Sequence, residues 1–209
     1  MSGSTLSCEY LIESGVAARA LPGEGISGDL HVIVPYRRGV LVAVIDGLGH
    51  GPEAARAAAA AAAVLNLYKG GALPPLLDLC HANLRSTRGA AMNLAAFDAP
   101  KGEMSWMGVG NVEGVLLRAN PDAKPAREAL FQRPGVVGQQ FPSVNASVLP
   151  LFPGDTLVFA TDGIRGSFVE RLCLGETPQR MADGILEQSG KSWDDALVLV
   201  ACYLGERHG

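Results

Sequence analysis

The chain has 209 residues, 48% of them apolar and 18% charged, with 21 acidic against 17 basic side chains and a net charge of −4. This length supports one full-sized core, this apolar content excludes a disordered chain, and scattered Lys and Arg give no basic stripe for nucleic acid. No Ser/Pro-rich or charge-rich stretch divides the sequence, so one domain over residues 1–209 is expected.

The longest apolar run, Ala54 to Leu67, contains Arg56 and is too short and Ala-rich to cross a bilayer. No basic segment followed by an apolar one opens the chain, so the expected location is cytoplasmic, without a membrane partner. Cys8, Cys80, Cys173 and Cys202 are widely spaced and form no Cys-x-x-Cys, a pattern of buried thiols rather than of a zinc site or disulfide framework.

In chain order, Leu6 to Ile12 alternates loosely as a first strand, and Leu21 to Gly28 is a turn-rich connection that delivers Asp29. Leu30 to Pro35 and Val40 to Ile45 predict a hairpin around Tyr36-Arg-Arg-Gly39. That pairing brings Asp29 and Asp46 to one end of a sheet. Val40 to Ile45 is an unbroken apolar run, rich in β-branched residues, and reads as a strand covered on both faces. Behind it, Gly47, Gly49 and Gly51 allow a sharp turn and close approach to a ligand, and Pro52 suits the first turn of a helix.

A helix is expected from Pro52 to Tyr68, since seven consecutive alanines, Ala57 to Ala63, have almost no other preference. Pro74 and Pro75 open a second helix running to Arg85, with Leu76, Leu77, Leu79, Cys80 and Leu84 inward. Ala91 to Phe97, Met104 to Val109 and Gly114 to Arg118 then predict an antiparallel meander. Asn120 to Arg127 and Arg133 to Pro142 are polar or Gly/Pro-rich loops. Ser147 to Phe152 and Thr156 to Ala160 predict a further hairpin, ending in Thr161-Asp162-Gly163. Helices are expected at Ser167 to Leu174 and Pro178 to Gln188. Asp194-Asp195 precede Ala196 to Tyr203, which is apolar enough for a central strand.

Four places share an acid at a strand end beside a turn: Asp29, Asp46-Gly47, Asp162-Gly163 and Asp194-Asp195. Hard divalent cations prefer carboxylate, carbonyl and water oxygens, and two of them roughly 3.5–4 Å apart can clamp a phosphoryl group and activate water. Any single Asp-Gly is ordinary turn chemistry, so the ensemble carries the inference.

Ser27-Gly28-Asp29, Asp46-Gly-Leu-Gly-His-Gly51, Thr161-Asp162-Gly163 and Asp194-Asp195, in this order, resemble the metal-dependent Ser/Thr protein phosphatases of the PPM superfamily, in their SpoIIE-like branch. The short length, the lack of an appended domain, Arg88-Gly-Ala-Ala91 and Gly108-Val-Gly-Asn-Val112 are most similar to RsbX-type stressosome phosphatases. The resemblance implies an α+β fold, an αββα four-layer sandwich of two antiparallel sheets flanked by helix pairs. It further implies two Mn²⁺ or Mg²⁺ ions: Asp46 bridging them, Asp162 and Asp194 on the first, Asp29 and the Gly47 carbonyl on the second. Asp195 is the neighbour that could be mistaken for Asp194. Water activated by the metals would attack phosphorus in line, with no phosphoenzyme. The implied partner is a phosphorylated stressosome scaffold with a STAS-type domain.

Two departures from the family pattern matter. Many relatives carry Asp where this chain has Asn111, so two metals rather than three are expected. Some place His directly after the Asp-Gly, whereas His50 lies three residues beyond Gly47; as an imidazolium it could protonate the leaving alkoxide, or it could simply serve the helix start. His31, His81 and His208 have no partner pattern. Two other readings compete. A strand, Gly47-x-Gly49-x-Gly51 and a helix resemble a dinucleotide-binding turn, but the third glycine is misplaced and no acid ends a second strand about 20 residues on. Alternatively, a phosphatase-like fold could serve only to bind partners.

Overall fold

A computed structural model describes residues 11–141 and 143–205. Its architecture follows from β3 (Gly39–Gly47), in which every residue from Val40 to Ile45 is fully buried. Such a strand needs cover on both faces. Val40, Val42 and Val44 point to a cluster with Leu116, Phe159, Leu197 and Leu199, whereas Leu41, Ala43 and Ile45 meet Ala57, Ala61, Leu65 and Leu77. The first cluster is the seam between two sheets. The second is the contact of one sheet with its helices.

The first sheet has the order β2 (Asp29–Tyr36), β3, β4 (Ala90–Asp98), β5 (Glu103–Val109), β8 (Ser147–Pro150). The second has the order β1 (Ile12–Arg19), β10 (Ala196–Tyr203), β9 (Thr156–Ala160), β6 (Glu113–Leu117), β7 (Arg127–Ala129). All ladders are antiparallel. The helices α1 (Gly51–Leu65) and α2 (Leu73–Leu84) cover the first sheet. On the second, α3 (Phe168–Arg171) and α4 (Pro178–Ser189) place Phe168, Met181 and Ile185 against Val158, Val198 and Val200. The expected αββα sandwich is present. Among the described residues its antiparallel sheets leave no parallel βαβ unit for a dinucleotide-binding turn.

Alanines set how closely α1 approaches. A Cβ on Gly47 would lie 2.1 Å from the Ala54 carbonyl oxygen, and one on Gly28 2.7 Å from the Ala54 Cβ. The end of β3 and the turn before β2 therefore sit directly on the helix, where a larger side chain would push them away.

Several local expectations are corrected. β6 does not extend a β4–β5 meander: the chain turns at Gly110, with φ +101°, and β6 pairs with β9 in the other sheet. β8 and β9 are likewise not a hairpin, since β8 pairs with β5 while β9 lies between β10 and β6. Asp155 holds the crossing: its Oδ1 accepts from the Ala119 N–H at 2.8 Å, and its Oδ2 from Arg118 Nη1 at 2.8 Å and the Phe152 N–H at 3.1 Å. Alternation marks a strand but not the sheet it joins. α3 is one short turn, and Leu79 is 57% exposed rather than inward. The first strand runs Ile12–Arg19; the expected portion from Leu6 to Tyr10, together with Cys8, lies outside the described residues. Cys80 is a buried thiol, but Cys202 is half-buried and Cys173 exposed.

Candidate metal centre

The β2–β3 register places Asp29 directly opposite Asp46. The second sheet contributes from the same end: β9 runs into Thr161-Asp162, and Asp194-Asp195 lead into β10. Thr161 joins the sheets here. Its hydroxyl donates to Asp29 Oδ2 at 2.7 Å and accepts the Leu197 N–H at 2.9 Å. The Asp162 and Asp195 turns also touch backbone to backbone, since a Cβ on Gly163 would fall 1.8 Å from the Asp195 carbonyl oxygen. On the other side the Gly47 N–H donates to the Gly28 carbonyl at 3.0 Å. Asp29, Asp46, Gly47, Asp162 and Asp194 are thus gathered at one end of the sandwich.

The adjacent acids Asp194 and Asp195 are differently placed. Asp195 is buried, with Oδ1 accepting from the Leu21 N–H at 2.7 Å and Oδ2 from the Gly28 N–H at 2.8 Å. Both oxygens are committed to backbone. Asp194 is half-buried and accepts the Asp195 N–H at 3.0 Å through Oδ1. Asn111 is exposed and donates through Nδ2 to Asp162 Oδ2 at 2.6 Å, while Lys191 Nζ donates to the Asp162 carbonyl. His50 occupies the N-cap of α1 with its side chain 60% exposed, its Nδ1 2.9 Å from Glu24 Oε1. Glu24 and Lys191 escape sequence reasoning because each lies in a loop, and only the fold brings those loops beside the acids.

Electrostatically the cluster is short of positive charge. Burial pushes the Asp29 carboxyl from 3.8 up to about 7, against the opposing Thr161 hydrogen bond and with repulsion from Asp195, Asp162 and Asp194. Burial likewise pushes Asp46 up to about 8, and every neighbour acting on it, Asp29 foremost, is another acid. Burial and Asp162 raise Asp194, partly offset by the Asp195 N–H and Lys191. Among the described residues no three His, Cys, Asp or Glu side chains already converge as a cage. The donor set nevertheless fits hard divalent cations: it is all oxygen, net anionic, and assembled on rigid strand ends, and such ions keep several water ligands.

The loops expected to surround this end do so unequally. β6 runs away from the acids, because Glu113 pairs with Ala160 and Leu117 with Thr156. Asn120 to Arg127 therefore lies at the opposite end. The segment after Arg133 does border the acids: the Arg133 carbonyl accepts the Gly110 N–H beside Asn111, and Val137 pairs with Ala90, itself opposite Gly47. His81 secures it, with Nδ1 accepting the Gly138 N–H at 2.9 Å and the ring stacked on Phe141. Of Ser167 to Pro178, the beginning follows the Asp162 turn, while Leu174 to Glu176 line a hollow with Ala119 and Gly154 at the far end.

Two facing antiparallel sheets with outer helix pairs are the architecture of the PP2C-type serine/threonine phosphatases. The family model described as Stage II sporulation protein E (SpoIIE) matches residues 37–203, and the chain belongs to that family. No curated protein matches the chain. Among solved structures, a chain from work on the bacterial stressosome, a modular system adapted to control secondary messenger signalling, is 31% identical with a TM-score of 0.80, covering 91% of this chain and 98% of that one. RsbX in complex with magnesium shares the fold at 18% identity and a TM-score of 0.82, over 92% of this chain and 96% of that one. The PP2C domain of SpoIIE from Bacillus subtilis does so at 20% identity and 0.74, over 95% and 65%.

Proposed function

We propose that this chain is a cytoplasmic, single-domain protein phosphatase that hydrolyses phosphoserine or phosphothreonine on a folded stress-signalling scaffold with a STAS-type domain. The carrying observation is the convergence of Asp29 and Asp46 from one sheet with Asp162 and Asp194 from the other, an anionic cluster in which the acids repel one another and only Thr161, Lys191 and one backbone N–H offset the repulsion. Asp46 would bridge two Mn²⁺ or Mg²⁺ ions, Asp162 and Asp194 holding one and Asp29 with the Gly47 carbonyl the other. Asp194 is preferred over Asp195 because Asp195 spends both oxygens on backbone N–H groups.

When bound, such ions neutralise phosphoryl oxygens and lower the pKa of water, which is the chemistry phosphomonoester hydrolysis requires. The chain supplies the rest. The Thr161 hydroxyl fixes the Asp29 carboxylate, Asp195 pins the Gly28 turn, and the Asn111 amide holds Asp162 Oδ2 without adding the charge a third ion would need. His50, oriented by Glu24 at Nδ1, keeps Nε2 to donate a proton to the leaving alkoxide.

The scaffold reading draws on the stressosome and RsbX likenesses and on a groove against the Arg133 segment. A groove of about 460 Å³ lies beside the Arg133 segment, lined by Trp106, Met107, Phe131 and Arg133, with Phe131 95% exposed. Metals grip only phosphoryl oxygens, so a surface of this kind must distinguish one phosphoserine from another. Activity should vanish in EDTA and return with Mn²⁺ or Mg²⁺, and kcat/KM should be far higher on the intact phosphorylated scaffold than on a phosphopeptide cut from it. Undiminished activity in chelator removes the metal assignment. Equal efficiency on scaffold and peptide removes recognition of a folded partner.

A further inference from the structure

We propose that Arg88 is a substrate-binding residue, its guanidinium seated on the Gly49 turn at the mouth of the acid cluster to hold the phosphoryl oxygens that bound ions leave free. The inference rests on the phosphatase reading above and assigns a residue to that same site. Arg88 stands two residues before β4, at the point where that strand binds the acid-bearing loop: Ala90 pairs with Gly47, and the Leu48 N–H donates to the Gly89 carbonyl at 3.0 Å. The side chain turns toward that loop. A Cβ on Gly49 would lie 2.9 Å from Arg88 Nη1, so the absence of a side chain at residue 49, together with its φ of +88°, makes room for the guanidinium.

Two other basic groups near the acids are already engaged. Lys191 donates to the Asp162 carbonyl, and Arg165 reaches the Gly190 carbonyl at 3.4 Å while lying 5.5 Å over the Trp193 ring. Arg88 is exposed, and among the described residues no carboxylate pairs with it. An unpaired cation seated against Gly49, itself three residues past Asp46, is an anion-binding element beside a cluster that otherwise repels anions. The planar guanidinium suits two oxygens of a phosphomonoester dianion, which a lysine ammonium serves only as a point charge.

The test compares wild type, Arg88→Ala and Arg88→Lys, each loaded with Mn²⁺. It reads inorganic phosphate binding by calorimetry, phosphate inhibition, KM and kcat on a phosphoserine peptide, and Mn²⁺ affinity. Arg88→Ala should weaken phosphate binding and raise KM by about tenfold or more, the scale of one lost charge-assisted hydrogen bond, with kcat and Mn²⁺ affinity changed far less. Arg88→Lys should recover only part of the loss. Phosphate affinity unchanged in Arg88→Ala, or lost only in proportion to Mn²⁺ affinity, overturns the assignment. Wild-type protein that binds phosphate through Arg88 yet turns over no phosphoester would instead sink the phosphatase reading and leave Arg88 as an anion-binding residue without a substrate role.

Discussion

At the scale of single residues, Asp29 and Asp46 face each other across one hairpin but do different work in the proposed centre. A bridging carboxylate touches both ions, so Asp46→Asn should cost more activity than any other single substitution, beyond the roughly 10–100-fold typical of losing a supporting contact around a metal ligand. Measured kcat with saturating Mn²⁺ decides this, and a larger loss in Asp29→Asn would move the bridge to Asp29. His50 is separable by leaving group. If its Nε2 protonates the departing alkoxide, His50→Ala should impair hydrolysis of phosphoserine far more than that of p-nitrophenyl phosphate, whose phenolate needs little help. Equal losses on both substrates would reduce His50 to the partner of Glu24 at the start of α1.

At the scale of elements, the β2–β3 hairpin holds two buried carboxyls at one end, and this gives the metal-free chain a pH signature. The folded values, about 7 for Asp29 and about 8 for Asp46, lie above the ordinary 3.8. Below 3.8 both states hold these protons and neither group affects stability; as pH rises toward about 8 the unfolded chain releases them first, so stability falls across that window. Thermal melts without metal should therefore drop in Tm toward the upper end. Added Mg²⁺ should restore Tm most there, because it binds the deprotonated form. A flat metal-free profile would mean that the two acids do not share a buried site. The hairpin itself was legible in the sequence because its turn and both apolar strands are contiguous. The partners of β6 and β8 were not, since a strand with alternating or continuous apolar residues fits either sheet of a sandwich equally well.

At the scale of the whole molecule, the two sheets are tied together at the acid end by few contacts. Asp195, entering β10, accepts from Leu21 and Gly28 on the connection to β2, and Thr161 reaches Asp29 from β9. Asp195→Ala leaves two N–H groups without their acceptor and should destabilise the chain by about 1–3 kcal/mol for each group that stays buried. The Mn²⁺ concentration for half-maximal activity should rise as the Asp29 turn loosens. Denaturant melts and metal titrations check both, and a variant of wild-type stability and metal affinity would show that the sheets are aligned by their apolar seam alone.

The sequence by itself determined the strand-and-helix order apart from the short edge strand β7, the double burial of β3, the alanine helix and the set of acids at strand ends, because each of these is written in neighbouring residues through periodicity, propensity and turn chemistry. Only the tertiary structure decided which strands share a sheet and that Asn120 to Arg127 lies away from the acids while the Arg133 segment borders them. It alone separated Asp194 from Asp195 by what their oxygens already bind, and placed Arg88 on the Gly49 turn. Those outcomes depend on groups far apart in the chain meeting across a seam and competing for the same few hydrogen-bond partners, and no local pattern encodes which of them will meet.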